Sequence, residues 1–343
     1  MAGSEYTYRT LASAIEAVRV HPPASYSWLG HRTPPLPSAV GKAVKINAAR
    51  DYLRHTLQQC LYRQWYCLGA PAPADALNPS AHPSALPTPF LAALSKANCG
   101  TGPLESGWRV HAIDGNLIVI QRDGLLVWAR PNDIASIDCT TPNLGTSITV
   151  HLPKELLRSS PGFYLALGNK ELPPPGAEPI VRLYWNVSVN AAPHLMKSVT
   201  TKLNEAGVPF RCKMISAPDA YARCDAAVLY LPKRCYLSTR DIVAAIHHEM
   251  QADIDDAVPA LTKQLAPGLG LAEDPGDGNS FGMHRCDLVA EGIIRARERQ
   301  LRSIQKRLAV VLACFIEAGL DGARPYLNPE SVDMYSAFEC STR

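Results

Sequence analysis

Lys213 is the residue in this chain best suited to act as a base. It sits in VPFRCKMIS (208–216), two positions after Arg211, in a segment that reads as a half-buried strand. Residues two apart share one face of a strand, so Arg211 and Lys213 lie together, opposite Phe210, Cys212 and Met214. The segment RLYWNVSV (182–189) repeats the arrangement, with Arg182, Tyr184, Asn186 and Ser188 on one face and Leu183, Trp185, Val187 and Val189 on the other. In DAAVLYLP (225–232), Tyr230 shares a side with Val228. Three neighbouring strands with an apolar back and a cationic, hydroxyl-bearing front describe the floor of an anion site. Burial and like charge both lower a lysine pKa, which would make Lys213 a general base near neutral pH. The bland alternative is a lysine snorkelling to solvent at the edge of the sheet.

Further cationic candidates lie downstream. SFGMHRCDLVAEGIIRA (280–296) puts His284 and Arg285 in the first turn of a helix, where main-chain amides and an arginine fork favour phosphate, or where the charges are simply solvated. Lys263, just before APGLGLAEDP, has the same ambiguity, and its glycines match neither a Walker loop nor a dinucleotide fingerprint. His247, His248 and Glu249 do not form HExxH, and adjacent histidines on a helix diverge by about 100°, so no metal is expected. No GxSxG or Cys/His nucleophile signature is present.

The elements that position these residues follow from pattern. Segments 5–20 and 44–67 have helical periodicity, and a Pro/Ala-rich stretch at 69–89 breaks the chain before a short helix at 89–97. Residues 108–131 alternate around the turn signals Asp114-Gly115-Asn116 and Arg122-Asp123-Gly124. They read as a β-meander, extended by 146–153 and by FYLALGN (163–169). A second break, LPPPGAEP (172–179), precedes the Arg182 strand. Helices are then expected before Gly207, from a Ser238 or Thr239 cap to about Asp255, from Ser280 towards Arg299, and up to about Gly319. The fold class is α+β, a mixed or antiparallel sheet flanked by helices, with an N-terminal helical segment and a β-meander. Three regions are expected: helical 1–100, meander 101–175 and catalytic 176–343.

Composition limits the function classes. The 343 residues are 47% apolar and 19% charged, as in an ordinary globular protein, and a net charge of +3 does not support bulk nucleic-acid binding. No apolar run spans a membrane and the N-terminus lacks a signal-peptide pattern, so a cytoplasmic location is expected. The ten cysteines include no CxxC and are expected as free thiols.

Taken together, YWNVSV, LMKSVTTKLNEAGVPFRCKMI, YARCDAAVLYLPK, LTKQLAPGLGLAEDP, SFGMHRCDLVAEGI and RPYLN, in that order over about 180–332, resemble the HopA-type family of type III effectors and its bacterial relatives. Relatives of this type in peptide-natural-product clusters are lyases of class V lanthipeptide and thioamitide pathways, and a more distant similarity runs to phosphothreonine lyases. The resemblance implies elimination of phosphate from phosphoserine or phosphothreonine in a ribosomal precursor peptide, after a separate Ser/Thr kinase, with no cofactor. It implies Lys213 as the base, Arg223 and Tyr230 as phosphate and orienting contacts, Arg285 as a phosphate clamp and Lys263 as a weaker one. The distant lyases carry Lys-x-His-x-Ser where this chain has Tyr184-Trp185-Asn186-Val187-Ser188, so the expected acid is absent from that strand. His284, Tyr184 and Tyr230 are left as alternatives. The rival reading is a non-catalytic phosphopeptide-binding or effector-like scaffold. A homodimer and an obligate pair with the kinase both stay open.

Overall fold

The computed structural model describes residues 2–21, 24–33, 46–77, 88–137, 143–157, 159–174 and 176–338. Part of the Pro/Ala-rich stretch, 78–87, lies outside them, as do Cys139 and Cys340; the eight described cysteines are all free thiols. The fold is α+β, and all its sheets are antiparallel.

The central sheet has seven strands in the order β14-β15-β11-β13-β12-β10-β9. These are β9 (Glu155–Leu156), β10 (Phe163–Leu167), β11 (Ile180–Trp185), β12 (Arg211–Ile215), β13 (Ala227–Pro232), β14 (Lys263–Ala266) and β15 (Leu269–Glu273). The three strands read from alternation are thus adjacent, with β13 between β11 and β12. FYLALGN does not extend the meander. Phe163–Leu167 pairs with Ile215–Arg211, so the central sheet draws strands from both sides of the 172–179 break. The second addition is the β14–β15 hairpin, which the Gly/Pro-rich composition had marked as loop. Its turn is Pro267-Gly268, and Gly268 has φ +64°; a Cβ there would lie 2.1 Å from Ile254 Cγ2.

The back of the sheet is apolar. Val181, Leu183, Trp185, Cys212, Met214, Leu229 and Leu231 form one buried cluster with helices α4 (Ala192–Glu205) and α5 (Tyr236–Met250). Leu195, Met196, Val199 and Leu203 give α4 its buried stripe, and Gly207 (φ +63°) follows its end. Helix α5 begins two residues before Ser238 without a side-chain cap, and the Ser238 and Thr239 hydroxyls instead donate back to the Cys235 carbonyl. His247 is a core residue that donates from Nε2 to the Pro267 carbonyl (2.7 Å). Among the described residues no group of three His, Cys, Asp or Glu is arranged to hold a metal ion.

The front is roofed by helices from both ends of the chain. Helices α1 (Ala2–Ala17) and α2 (Ile46–Gln64) come from the first region, and α6 (Phe281–Glu298) and α7 (Ile304–Glu317) from the last. These four helices share one core with Tyr184, Val228 and Ala272 of the sheet. Helix α3 (Pro89–Ala97) lies instead on the back, where Leu91 and Leu94 join the cluster of Leu183 and Trp185. Helix α1 ends at Ala17, and the chain turns into β1 (Val18–His21), β2 (Ser25–Trp28) and β3 (His31–Arg32), a small sheet where helix was expected to continue. Ser280 caps α6 by accepting from the Met283 amide (3.2 Å). Helices α2 and α6 are clamped by Arg50 on Glu291 (2.8 Å) and Glu298 (2.8 Å), and by Arg54 on Asp287 (2.8 Å). Burial pushes the Glu291 carboxyl up, but hydrogen bonds from Arg50 and Arg295 outweigh it and hold the pKa at about 2.

The meander forms a separate five-stranded sheet, β6-β5-β4-β8-β7. It comprises β4 (Leu104–Asp114), β5 (Leu117–Arg122), β6 (Leu125–Ala129), β7 (Ile134–Ile137) and β8 (Ser147–His151), around its own core of Trp108, Val110, Ile118, Ile120 and Ile148. Asp123 (φ +50°) and Gly124 (φ +81°) make its β5–β6 turn, the left-handed pair that a tight hairpin requires. No helix among the described residues is long and apolar enough to cross a membrane.

Candidate active site

Strand register sets the front face in two rows. In one row Arg182 pairs with Tyr230, and Tyr230 with Arg211. In the next, Tyr184 pairs with Val228, and Val228 with Lys213. Lys213 is half-buried, and its Nζ lies 3.8 Å from the centre of the Phe163 ring. It has no hydrogen bond or ion pair among the described residues, and Arg211 has none either. Desolvation lowers the Lys213 pKa, and the nearby positive charge of Arg182 lowers it further; Asp225 opposes them. Burial without a paired carboxylate makes the ammonium lose its proton more readily than a solvated lysine, while the Phe163 ring, which attracts the cation, works against that loss.

The remaining basic candidates all have partners. Arg182 donates from Nε to Asp274 (2.7 Å) and from its fork to the Asn279 carbonyl (3.1 Å), with its guanidinium over the Tyr230 ring. Arg223 pairs with Asp225 (2.7 Å) and also donates to Tyr62 Oη (3.1 Å) and Cys67 Sγ (3.0 Å). Lys263 departs from the expected site altogether. It pairs in register with Leu271, which lies with Leu183 on the back of the sheet, and its ammonium binds Asp333 (2.6 Å). Arg285 is almost fully buried, and its donors go to the Pro325 carbonyl (2.8 Å), the Leu327 carbonyl (3.1 Å) and His284 Nδ1 (2.9 Å). It ties the start of α6 to the C-terminal segment instead of facing an open anion pocket.

Arginine has no acceptor, so His284 Nδ1 must accept, which puts the imidazole proton on Nε2, 4.0 Å from Asp277. Desolvation and then Arg285 push the His284 pKa down, so its ring is neutral. Tyr184 is buried, and its hydroxyl and that of Tyr66 lie near enough to perturb each other, yet neither reaches a satisfying hydrogen bond. Tyr230 is half-buried, its hydroxyl makes no hydrogen bond among the described residues, and its pKa is raised by burial against the opposing pull of Arg182. It therefore stays protonated. Asn186 lies beyond the end of β11, where its side chain donates to the Ala257 carbonyl (2.9 Å) and its amide to the Gly268 carbonyl (2.9 Å). That asparagine fastens the 255–257 segment to the sheet. Ser188 is exposed, past the strand.

Residues 155–327, just over half of the chain, match the model of the HopA1 effector protein family. The chain belongs to this family. Two solved effector structures align with it across nearly the whole length. One is the effector protein from Pseudomonas syringae pv. tomato strain DC3000, at 14% identity over 96% of this chain and 100% of that one, with a TM-score of 0.49. The other, from Pseudomonas syringae pv. syringae strain 61, is 13% identical over 95% and 99% of the two chains, with a TM-score of 0.47. No curated protein matches.

The HopA1 family segment begins at β9, so it covers the whole central sheet; the roof over the front face comes partly from outside it. Tyr62 and Tyr66, one turn apart at the end of α2, stack at 5.4 Å, and Tyr66 meets Tyr184 edge-on at 6.4 Å. Gly282 makes this approach possible, because a Cβ there would sit 2.4 Å from the Tyr66 ring. Tyr62, Tyr66, Cys67, Phe163 and Asp225 were all missed as site residues. The tyrosines at helical spacing and the Arg223-x-Asp225 pattern were visible signals, but nothing local tied them to Lys213.

Proposed function

We propose that this protein is a phosphoserine/phosphothreonine lyase acting on a phosphorylated peptide, with Lys213 as the base and Tyr230 as the acid. The observation that carries the reading is Lys213 itself: an unpaired, partly desolvated amine on the row beside Arg182–Tyr230–Arg211. The phosphate would lie over Tyr230, between Arg182 and Arg211, of which Arg211 has no ion-pair partner of its own. Arginine forks suit a phosphate dianion, and a lysine whose pKa is lowered more readily reaches the neutral form that abstracts a proton.

Neutral Lys213 takes the proton from Cα. The electrons of that C–H bond form the Cα=Cβ double bond, and the Cβ–O bond breaks. Phosphate departs with the bridging oxygen, to which Tyr230 gives its proton, and the arginines stabilise the charge that accumulates there. The products are dehydroalanine or dehydrobutyrine and inorganic phosphate. No redox step or cofactor enters this balance. The family resemblance supports a ribosomal precursor peptide as substrate and a separate kinase as the enzyme that supplies its phosphate.

The test is to incubate the full chain with a phosphoserine or phosphothreonine peptide, with and without the kinase, and follow the peptide by mass. Loss of phosphoric acid that disappears in Lys213→Ala, with peptide binding retained, is the expected result. A peptide that binds without losing mass in either condition would replace this reading with that of a phosphopeptide-binding scaffold. The displacement of the expected strand histidine by Asn186, committed to Ala257, is the feature that favours that rival.

A further inference from the structure

A second cationic site lies where the end of α1, β1 and the α6–α7 connection meet. A cavity of 620 Å³ is lined there by Arg19, Arg297, Arg302 and Arg307, with Glu16 as its acidic wall residue and Val18, Val20, Ile293 and Leu301 as its apolar walls. Its volume falls within the range of about 300–1,000 Å³ that ligand sites occupy. Arg19, Arg297 and Arg302 have no ion pair or side-chain hydrogen bond among the described residues. The contrast with the same helix is direct: Arg295, two positions before Arg297, binds both Glu291 (2.7 Å) and Glu317 (2.6 Å). On a chain of net charge +3, this is a concentration of uncompensated positive charge.

The wall also offers main-chain groups. β1 is an edge strand of its sheet. The Leu29 amide donates to the Ala17 carbonyl, and β1 pairs Arg19 with Ser27 and His21 with Ser25. By the alternation of an antiparallel ladder, the amides and carbonyls of Val18 and Val20 therefore point away from β2. Arg307 already holds the Val18 carbonyl (3.1 Å), which leaves the Val20 main chain as the cavity-lining position without a strand partner, on a residue that is 7% exposed. His21 is the one aromatic ring among the lining residues, its Nε2 hydrogen-bonded to Ser27 (2.7 Å), and the lining contains no glycine-rich loop to cradle a nucleotide phosphate.

We infer that this cavity docks an extended acidic peptide segment, whose backbone pairs with β1 at Val20 and whose carboxylates meet Arg19, Arg297 and Arg302. Edge pairing supplies affinity without sequence, and the arginines supply selectivity for acidic side chains. This docking does not depend on the lyase reading, because none of its residues belongs to the sheet site.

Fluorescence anisotropy on the full chain tests it, using a short labelled peptide of alternating glutamate and valine. Tight binding at low salt should weaken at least tenfold in Arg19→Glu and in Arg302→Glu, and stay unchanged in Lys213→Ala. The two reversed arginines are surface residues, and circular dichroism checks that each variant is folded. Methylating alternate peptide amides should also weaken binding. Unchanged binding by the charge-reversed variants would overturn the inference, as would equal affinity for the methylated peptide. Tighter binding of ATP than of the acidic peptide would overturn it in favour of a nucleotide.

Discussion

The two faces of the central sheet are built from the same strands and obey opposite rules. Behind β11, β12 and β13 lie Leu183, Trp185, Met214 and Leu229, packed against α4 and α5. In front lie Arg182, Lys213, Tyr184 and Tyr230, under a roof drawn from distant parts of the chain. A buried aliphatic side chain stabilises by about 1.5–3 kcal/mol, whereas a half-buried cation without a partner costs free energy. The back therefore holds the fold, and the front carries groups that packing alone would not select. What is retained against stability on one face of an otherwise apolar sheet marks the place where chemistry is expected.

The strongest way to break this comparison is to swap the roles of its faces. Lys213→Ala should reduce elimination by about 10²–10⁴-fold, the range for a general base, in a mass assay of a phosphopeptide. The thermal transition should be unchanged or higher. Trp185→Ala should do the reverse, losing about 3–5 kcal/mol in urea unfolding while activity per folded molecule survives. If Trp185→Ala abolished activity in fully folded protein, the division between the faces would fail.

Two smaller effects sharpen it. Lys213→Met keeps the stem and removes the charge, so it should raise stability. Because the folded-state pKa lies below the ordinary 10.5, the unfolded chain binds more protons between the two values. Stability of the natural protein should then rise with pH across that window, and its deficit relative to Lys213→Met should shrink as pH approaches 10.5. A deficit that does not change with pH would show that Lys213 is solvated. The roof should respond at the other end of the scale. Glu291 is held near 2 against an ordinary 4.5, so its contribution is present above 4.5 and is lost as pH falls towards 2. Glu291→Gln should flatten that acid limb in a denaturation series.

Much of this arrangement was legible in the sequence. Period-two alternation located the three strands and their faces, and Ser280 and Gly207 marked helix ends, because these are local signals. The partners were not legible. Arg182 meets Asp274, Lys263 meets Asp333, and Arg285 meets the carbonyls of 325 and 327, each across many intervening residues. Charge along a chain shows which residues are cationic but not which are already neutralised. The same reason explains Phe163–Leu167, whose alternation was recognised while its sheet was not. Its ladder partner, Arg211–Ile215, is set by tertiary pairing.

The segment around 325–335 has a consequence for timing. Glu273, at the end of β15, accepts from the Asn328 amide (2.8 Å), Ser331 (2.7 Å) and Tyr335 (2.7 Å), and Arg285 grips the same stretch from α6. These residues emerge from the ribosome after every strand of the sheet has been made, and chains fold as they emerge. During synthesis the helix over the front face thus waits for its last fastening. The front face around Lys213 is therefore covered in its final form only after residues 325–335 have been made.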